Sequence, residues 1–199
     1  MDSDLRFSNH VSSLIQKSFG KLRMLYMHRE AFDVATRLRL CDSLVLSNLN
    51  YCNVVYMPCL IQRDQMSLQK IQNACLRFCY NVRKFDHITP HLKESRWLSV
   101  EELYQLHTLC MVFKIKQTKT PEYLHLKLNS LSQFHAAGSV QTRHGELLSV
   151  PMHNFEFFKR SFTYSATHLF NLLPTSIKQT SSLISFREKA KDFLLSLRN

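Results

Sequence analysis

Only three glycines, Gly20, Gly138 and Gly145, interrupt this chain of 199 residues. Tight hairpin turns need residues that accept a positive φ, and an all-β fold needs many such turns. With just five prolines besides, the supply is too small for a sandwich or barrel. The expected fold is mainly α, a bundle of about six to eight helices read from 3.6-residue periodicity, with at most short strand stubs.

The strongest local signals lie between Asp86 and Glu102. Pro90 has a fixed φ and no N–H, which suits the first turn of a helix capped by Thr89. Ser99 and Glu102 have capping-box spacing: the hydroxyl can reach the N3 amide while the carboxylate reaches back to the cap amide. A short helix is therefore expected to end near Trp97 and a longer one to start at Ser99. Trp97, the only tryptophan, is the expected anchor of that corner, with Ser99 and Glu102 as its cap.

Periodicity places the other helices. The first is expected from a Ser8 or Asn9 cap to about His28, with Val11, Leu14, Ile15, Leu22, Leu25 and Tyr26 on one face. Gly20 within it costs roughly 1 kcal/mol against alanine and marks a candidate close contact. Asp33 is the expected cap of a second helix reaching about Ser47, broken by Asn48-Leu49-Asn50. Tyr51 to Tyr56 reads as either an extended piece or a helix tail. A third helix is expected from about Arg63 to Tyr80, with Leu68, Ile71, Cys75 and Phe78 inward. The helix from Ser99 should run to about Lys116. A short helix is expected from Thr120, a flexible loop over about 130–146, a strand stub or extended segment at Leu147–Pro151, and helices over Ser161–Leu173 and Ser185–Leu197.

The formal net charge is +11, from 26 basic and 15 acidic residues. Such an excess fits a polyanionic partner, most simply nucleic acid, or else a solvated basic surface. Arg63, Lys70 and Arg77 recur every seven residues, nearly two turns, and so stay on one side of their helix. Lys17 and Lys21 form a second group. These five are the candidate phosphate contacts, with Lys159, Arg160 and Lys178 as an alternative face. The chain opens Met1-Asp2-Ser3-Asp4-Leu5-Arg6, polar rather than apolar, so secretion is not expected, and with no apolar run near the roughly 18 residues of a membrane span, no membrane partner is expected. Reduced cysteines in an intracellular setting, nuclear or cytoplasmic, follow as the default.

Cys75, Cys79, His87 and His91 place four soft or borderline ligands close together in sequence. Their Cys-to-His gap is shorter than the roughly twelve residues of a standard zinc finger. Cys75 and Cys79 also fit the apolar face of their helix, where free cysteine acts as a small hydrophobe. The core reading is preferred, and no metal or cofactor is expected. Two-metal phosphoryl transfer needs clustered carboxylates, whereas Glu101 and Glu102 are adjacent on a helix and diverge. No glycine-rich phosphate loop exists, and no local signature selects a cysteine nucleophile. No catalytic residues are assigned, and an autonomous enzyme is not expected.

Four groups of residues carry a family resemblance. Asp2-Ser3-Asp4-Leu5-Arg6-Phe7 with His10 is one, and Leu46-x-x-Leu49-x-Tyr51-Cys52-x-x-Val55-Tyr56 the second. Leu68-Gln69-Lys70-Ile71-Gln72-Asn73, Asp86-His87-Ile88-Thr89-Pro90 and Trp97-Leu98-Ser99-Val100 make the third. Ser161-Phe162, Leu169-Phe170-Asn171-x-Leu173-Pro174 and Phe186-x-x-x-Ala190-Lys191 make the fourth. In this order they resemble the C-terminal region of non-LTR (LINE-type) retrotransposon reverse transcriptases of the jockey-like and chicken-repeat-like group. Ser99 stands where the family usually has proline. Phe170 stands where it usually has tryptophan and is the expected anchor there.

The resemblance implies that residues 1–83 are a thumb with the end of the palm, and 84–199 a helical C-terminal region. It implies backbone contact with an RNA or DNA template–primer duplex. It further implies a chain starting after the palm, whose Mg²⁺-binding aspartates and fingers lie outside it, so that this piece is inert alone. The alternative is a host-derived helical scaffold or protein-interaction module with no nucleic-acid role.

Overall fold

A computed structural model describes residues 6–128 and 147–198. The expected loop over about 130–146 and the first residues of the resemblance lie outside the described residues. The architecture is mainly α, with helix following helix. The chain forms two compact units, Met1–Tyr104 and Gln105–Asn199.

In the first unit, α1 spans Ser8–Met27, α2 Val34–Leu40, α3 Ser47–Asn50 and α4 Asn53–Tyr56. They are followed by α5 at Gln62–Tyr80 and α6 at Thr89–Glu94, and the boundary between the units falls inside α7, Val100–Thr118. Near their N-termini α1 and α5 meet where the Ser8 hydroxyl donates to Asp64 Oδ2 at 3.1 Å. Near their C-termini Tyr26 and Phe78 pack edge to face, centroids 4.9 Å apart. The two helices therefore run parallel. Val11, Leu14 and Leu22 of α1 share a core with Leu68, Ile71, Cys75 and Phe78 of α5.

The start of α1 differs from expectation. Phe7, not Ser8 or Asn9, holds the cap position, in the left-handed region at φ 55° and without a side-chain cap bond. Ser8 lies inside the helix, where its hydroxyl serves α5. Gly20 is not a close-contact site: a Cβ added there meets nothing within 4 Å. Gly20→Ala is accordingly expected to stabilise the first unit by about 0.8–1 kcal/mol through helix propensity alone, read as a higher urea midpoint. A lower midpoint would show that the site needs glycine after all.

Asp33 caps α2 by accepting from the Thr36 amide at 3.0 Å. Hydrogen bonding from the Thr36 side chain, then from its amide, holds the Asp33 carboxyl below its usual range. The helix does not stop at Ser47. A π-helical turn, Cys41–Leu46, joins α2 to α3, and the run continues through Asn50. A π turn closes i→i+5 and accommodates one extra residue. Cys41, Val45 and Leu46 of this turn are buried. The Tyr51 to Tyr56 stretch takes the helical alternative as α4, after Cys52 turns the chain at φ 53°. Buried Tyr56 donates its hydroxyl hydrogen to the Leu49 carbonyl.

At the corner before α7 both halves of the capping box form. Ser99 N donates to Glu102 Oε2 at 2.7 Å, and Glu102 N donates to Ser99 Oγ at 3.3 Å. Pro90 sits in the first turn of α6, but Ile88 rather than Thr89 occupies the cap position, and α6 ends at Glu94, short of Trp97. Trp97 is only half-buried, at the edge of the core, whereas Leu98 beside it is 2% exposed. Arg96, at φ 53°, turns the chain just before this pair. Trp97 packs against the core from that edge, and Leu98 and two glutamines of α5 join it in holding the corner. Buried Gln72 donates to Leu98 O at 2.7 Å, Gln69 Oε1 accepts from Val100 N at 3.0 Å, and Gln69 Nε2 donates to Gln72 Oε1 at 2.8 Å.

In the second unit, α8 spans Glu122–Lys127, α9 Phe162–Leu172, α10 Thr175–Lys178 and α11 Leu183–Ser196. Phe113 of α7 stacks on Phe186 of α11 at 4.3 Å between centroids. Phe170 is buried, with Lys116 Nζ 4.7 Å and Lys178 Nζ 5.6 Å from its ring centroid. The expected extended segment at Leu147–Pro151 has one bridge residue, Leu148. The Asn171 side chain holds it by two hydrogen bonds of 2.9 Å, one to the Leu148 amide and one to its carbonyl.

Candidate nucleic-acid interface

The candidate phosphate contacts of the first unit lie on the parallel helices. Lys17 and Lys21 are exposed on α1, one turn apart, and Arg63 and Lys70 are exposed on α5. Seven residues of helix separate Arg63 from Lys70 by about 10.5 Å along the axis of α5. Among the described residues Lys17, Arg63 and Lys70 meet no carboxylate. Lys21 Nζ donates to Asn48 Oδ1 at 3.2 Å.

Arg77 departs from the rest of its row. It is half-buried, and its Nη2 donates to the Asp86 carbonyl at 3.0 Å. Its guanidinium braces the segment after α5 rather than standing free for phosphate. Two further arginines that periodicity did not single out cluster at the same helix end. Arg29 Nη2 reaches Arg77 O at 3.5 Å, and Arg37 Nη1 reaches Cys79 O at 3.2 Å. Cations there satisfy terminal carbonyls and complement the negative end of the helix dipole. In the sequence Asp33 stands four residues from each of them, a local acidic partner, and such spacing does not reveal a target across the fold. On the alternative face, Lys159 pairs with Glu156 at 2.7 Å and Lys178 donates to Asn171 O at 3.2 Å, while Arg160 Cζ lies 5.7 Å from the centroid of Phe157.

Cys75 and Cys79 are fully buried beside Cys41, whose Sγ lies 3.8 Å from that of Cys79. Cys41 had no notable spacing in the sequence, and only the fold brings it to α5. His87 is exposed, and His91 packs on Tyr80, 4.7 Å between centroids. The structure thus separates the four residues weighed as zinc ligands. Among the described residues no three His, Cys, Asp or Glu side chains are grouped so as to hold a metal ion.

Hydrogen bonding to Cys75, then burial, raises the Cys41 thiol; hydrogen bonding to Cys41, then burial, raises that of Cys79. Thiols held protonated and inaccessible react slowly. Native-state alkylation followed by mass spectrometry should therefore modify exposed Cys52 well before Cys41, Cys75 and Cys79. Equal rates across the four would show that the packed cysteine cluster does not exist in solution.

Comparison with known proteins adds nothing to this description: no family model, no curated protein and no solved structure matches the chain. Among the described residues no helix is long and apolar enough to cross a membrane.

Proposed function

We propose that this chain is the thumb and C-terminal region of a non-LTR retrotransposon RNA-directed DNA polymerase, inert alone, holding a template–primer duplex by its backbone. The observation that carries the reading is the pair of exposed basic rows on two parallel helices, on a chain of net charge +11. Side chains that reach phosphates position a duplex without reading its bases. Affinity should then be weak, sequence-independent and salt-sensitive, with Kd on the order of 10⁻⁴–10⁻⁶ M at physiological salt. Fluorescence anisotropy with an RNA–DNA hybrid over rising salt tests it. Binding absent at low salt, or independent of salt, rejects the proposal.

A second reading has its own support. Phe19, Met24 and Met27 are exposed on α1 around Gly20, an apolar surface suited to a protein partner. A host-derived interaction module would show no nucleic-acid affinity in the same titration.

A further inference from the structure

Phe85 is 90% exposed. Burying a phenylalanine is worth roughly 1.5–3 kcal/mol, and this side chain forgoes nearly all of it. The backbone that presents it is nonetheless built. Arg83 N donates to Asp86 Oδ2 at 3.2 Å, and Asp86 N donates to Arg83 O at 3.3 Å. Arg77 Nη2 then ties the Asp86 carbonyl to the last turns of α5 at 3.0 Å. A tight turn, fixed on a long helix, therefore holds the ring out in water.

Two cations and one acid flank the ring in sequence. Arg83 and Lys84 precede it, both exposed, and Lys84 Nζ lies 5.5 Å from the ring centroid. Among the described residues neither cation meets a carboxylate side chain. The one acid of the turn, Asp86, has its carboxylate on the Arg83 amide. An aromatic face with adjacent cations fits a nucleobase on the ring and its phosphate on Arg83 or Lys84. Phenylalanine has no polar tip, so it offers only a π face and no base-specific hydrogen bond. A base inside a duplex is already stacked on both sides, which leaves an unpaired base as the ligand.

We propose that Phe85 is a stacking platform for an unpaired nucleobase, with Arg83 and Lys84 on the flanking phosphates. This rests on the nucleic-acid reading above and adds to it a single-strand contact apart from the duplex-holding rows. It also gives Arg77 a positioning role.

The test compares the full chain and its Phe85→Ala variant on two labelled probes of equal phosphate number, a single strand and a hairpin duplex closed by a non-nucleotide linker. Removing a stacked ring should weaken single-strand binding about ten-fold or more. Hairpin binding should stay within two-fold (about 0.4 kcal/mol). Because the side chain is exposed, the melting temperature should not move. Phe85→Trp, placed in a Trp97→Phe background to leave one reporter, should keep single-strand affinity and lose fluorescence when the strand binds. Unchanged single-strand affinity in Phe85→Ala overturns the proposal and leaves the ring to a protein pocket. Equal weakening on both probes also overturns it, because the contact would then not select unpaired bases. Failure of the unaltered chain to bind either probe rejects the nucleic-acid reading itself, and this inference with it.

Discussion

Gln72→Ala is expected to destabilise the first unit by about 2–4 kcal/mol. Gln72 is fully buried, and its Nε2 donates to Leu98 O at 2.7 Å. Truncation leaves that carbonyl without its partner and opens a cavity where the side chain lay. It also strips Gln69 Nε2 of one acceptor, Gln72 Oε1, and Gln69 is what satisfies the Val100 amide at the start of α7. A buried polar network loses more than one bond when a member is removed, because each orphaned group keeps its desolvation cost. Trp97 is the only tryptophan and lies in the first unit, so its fluorescence in a urea titration reports on that unit. Gln72→Leu separates bonding from packing. It restores most of the volume and no donor, so it should remain destabilised; stability equal to the original chain would show that the hydrogen bonds contribute nothing.

Reversing two charges, Arg63→Glu with Lys70→Glu, is expected to abolish most duplex binding while leaving the fold intact. Both side chains are exposed, so no buried group is disturbed. Each phosphate contact contributes about 0.9 to the slope of log K against log salt on duplex DNA. Lys17, Lys21, Arg63 and Lys70 together give a slope of about −3.6, since Arg77 is committed to Asp86. That corresponds to a loss on the order of a hundredfold between 50 and 200 mM salt. Removing two contacts should bring the slope to about −1.8 or shallower. Arg77→Glu should instead act mainly on stability, since it removes the brace at Asp86. A double variant that binds with the original slope would move the interface off α5.

What was legible in the sequence was mostly local. The extent of α5, the Asp33 cap and the Ser99–Glu102 box depend on residues within a few positions of one another, and the structure places them as the spacing implies. What failed was set by partners far along the chain. Ser8 looks like a cap, but its hydroxyl is drawn to Asp64. Leu98, which local spacing did not single out, takes the inner position beside Trp97 after the turn at Arg96. Gln72 shares the face of Leu68, Cys75 and Cys79, and a polar residue on an apolar stripe was the available signal for a buried network. The π turn had no such mark, because one additional residue in a helix changes the pattern only after its core partners are known. In the basic rows, residue type and spacing gave the surface, but not that Arg77 would be spent on a carbonyl.

The parallel pairing of α1 with α5 also has a consequence for synthesis. Ser8 and its partner Asp64 are 56 residues apart, so α1 leaves the ribosome long before the helix that covers its apolar face. At translation speeds of about 5–20 residues per second, that interval is roughly 3–11 seconds, whereas helix formation takes microseconds or less. During it, Val11, Leu14 and Leu22 are made but lack their α5 contacts. The nascent segment therefore passes through a chaperone-accessible stage whose length is set by connectivity rather than by folding speed.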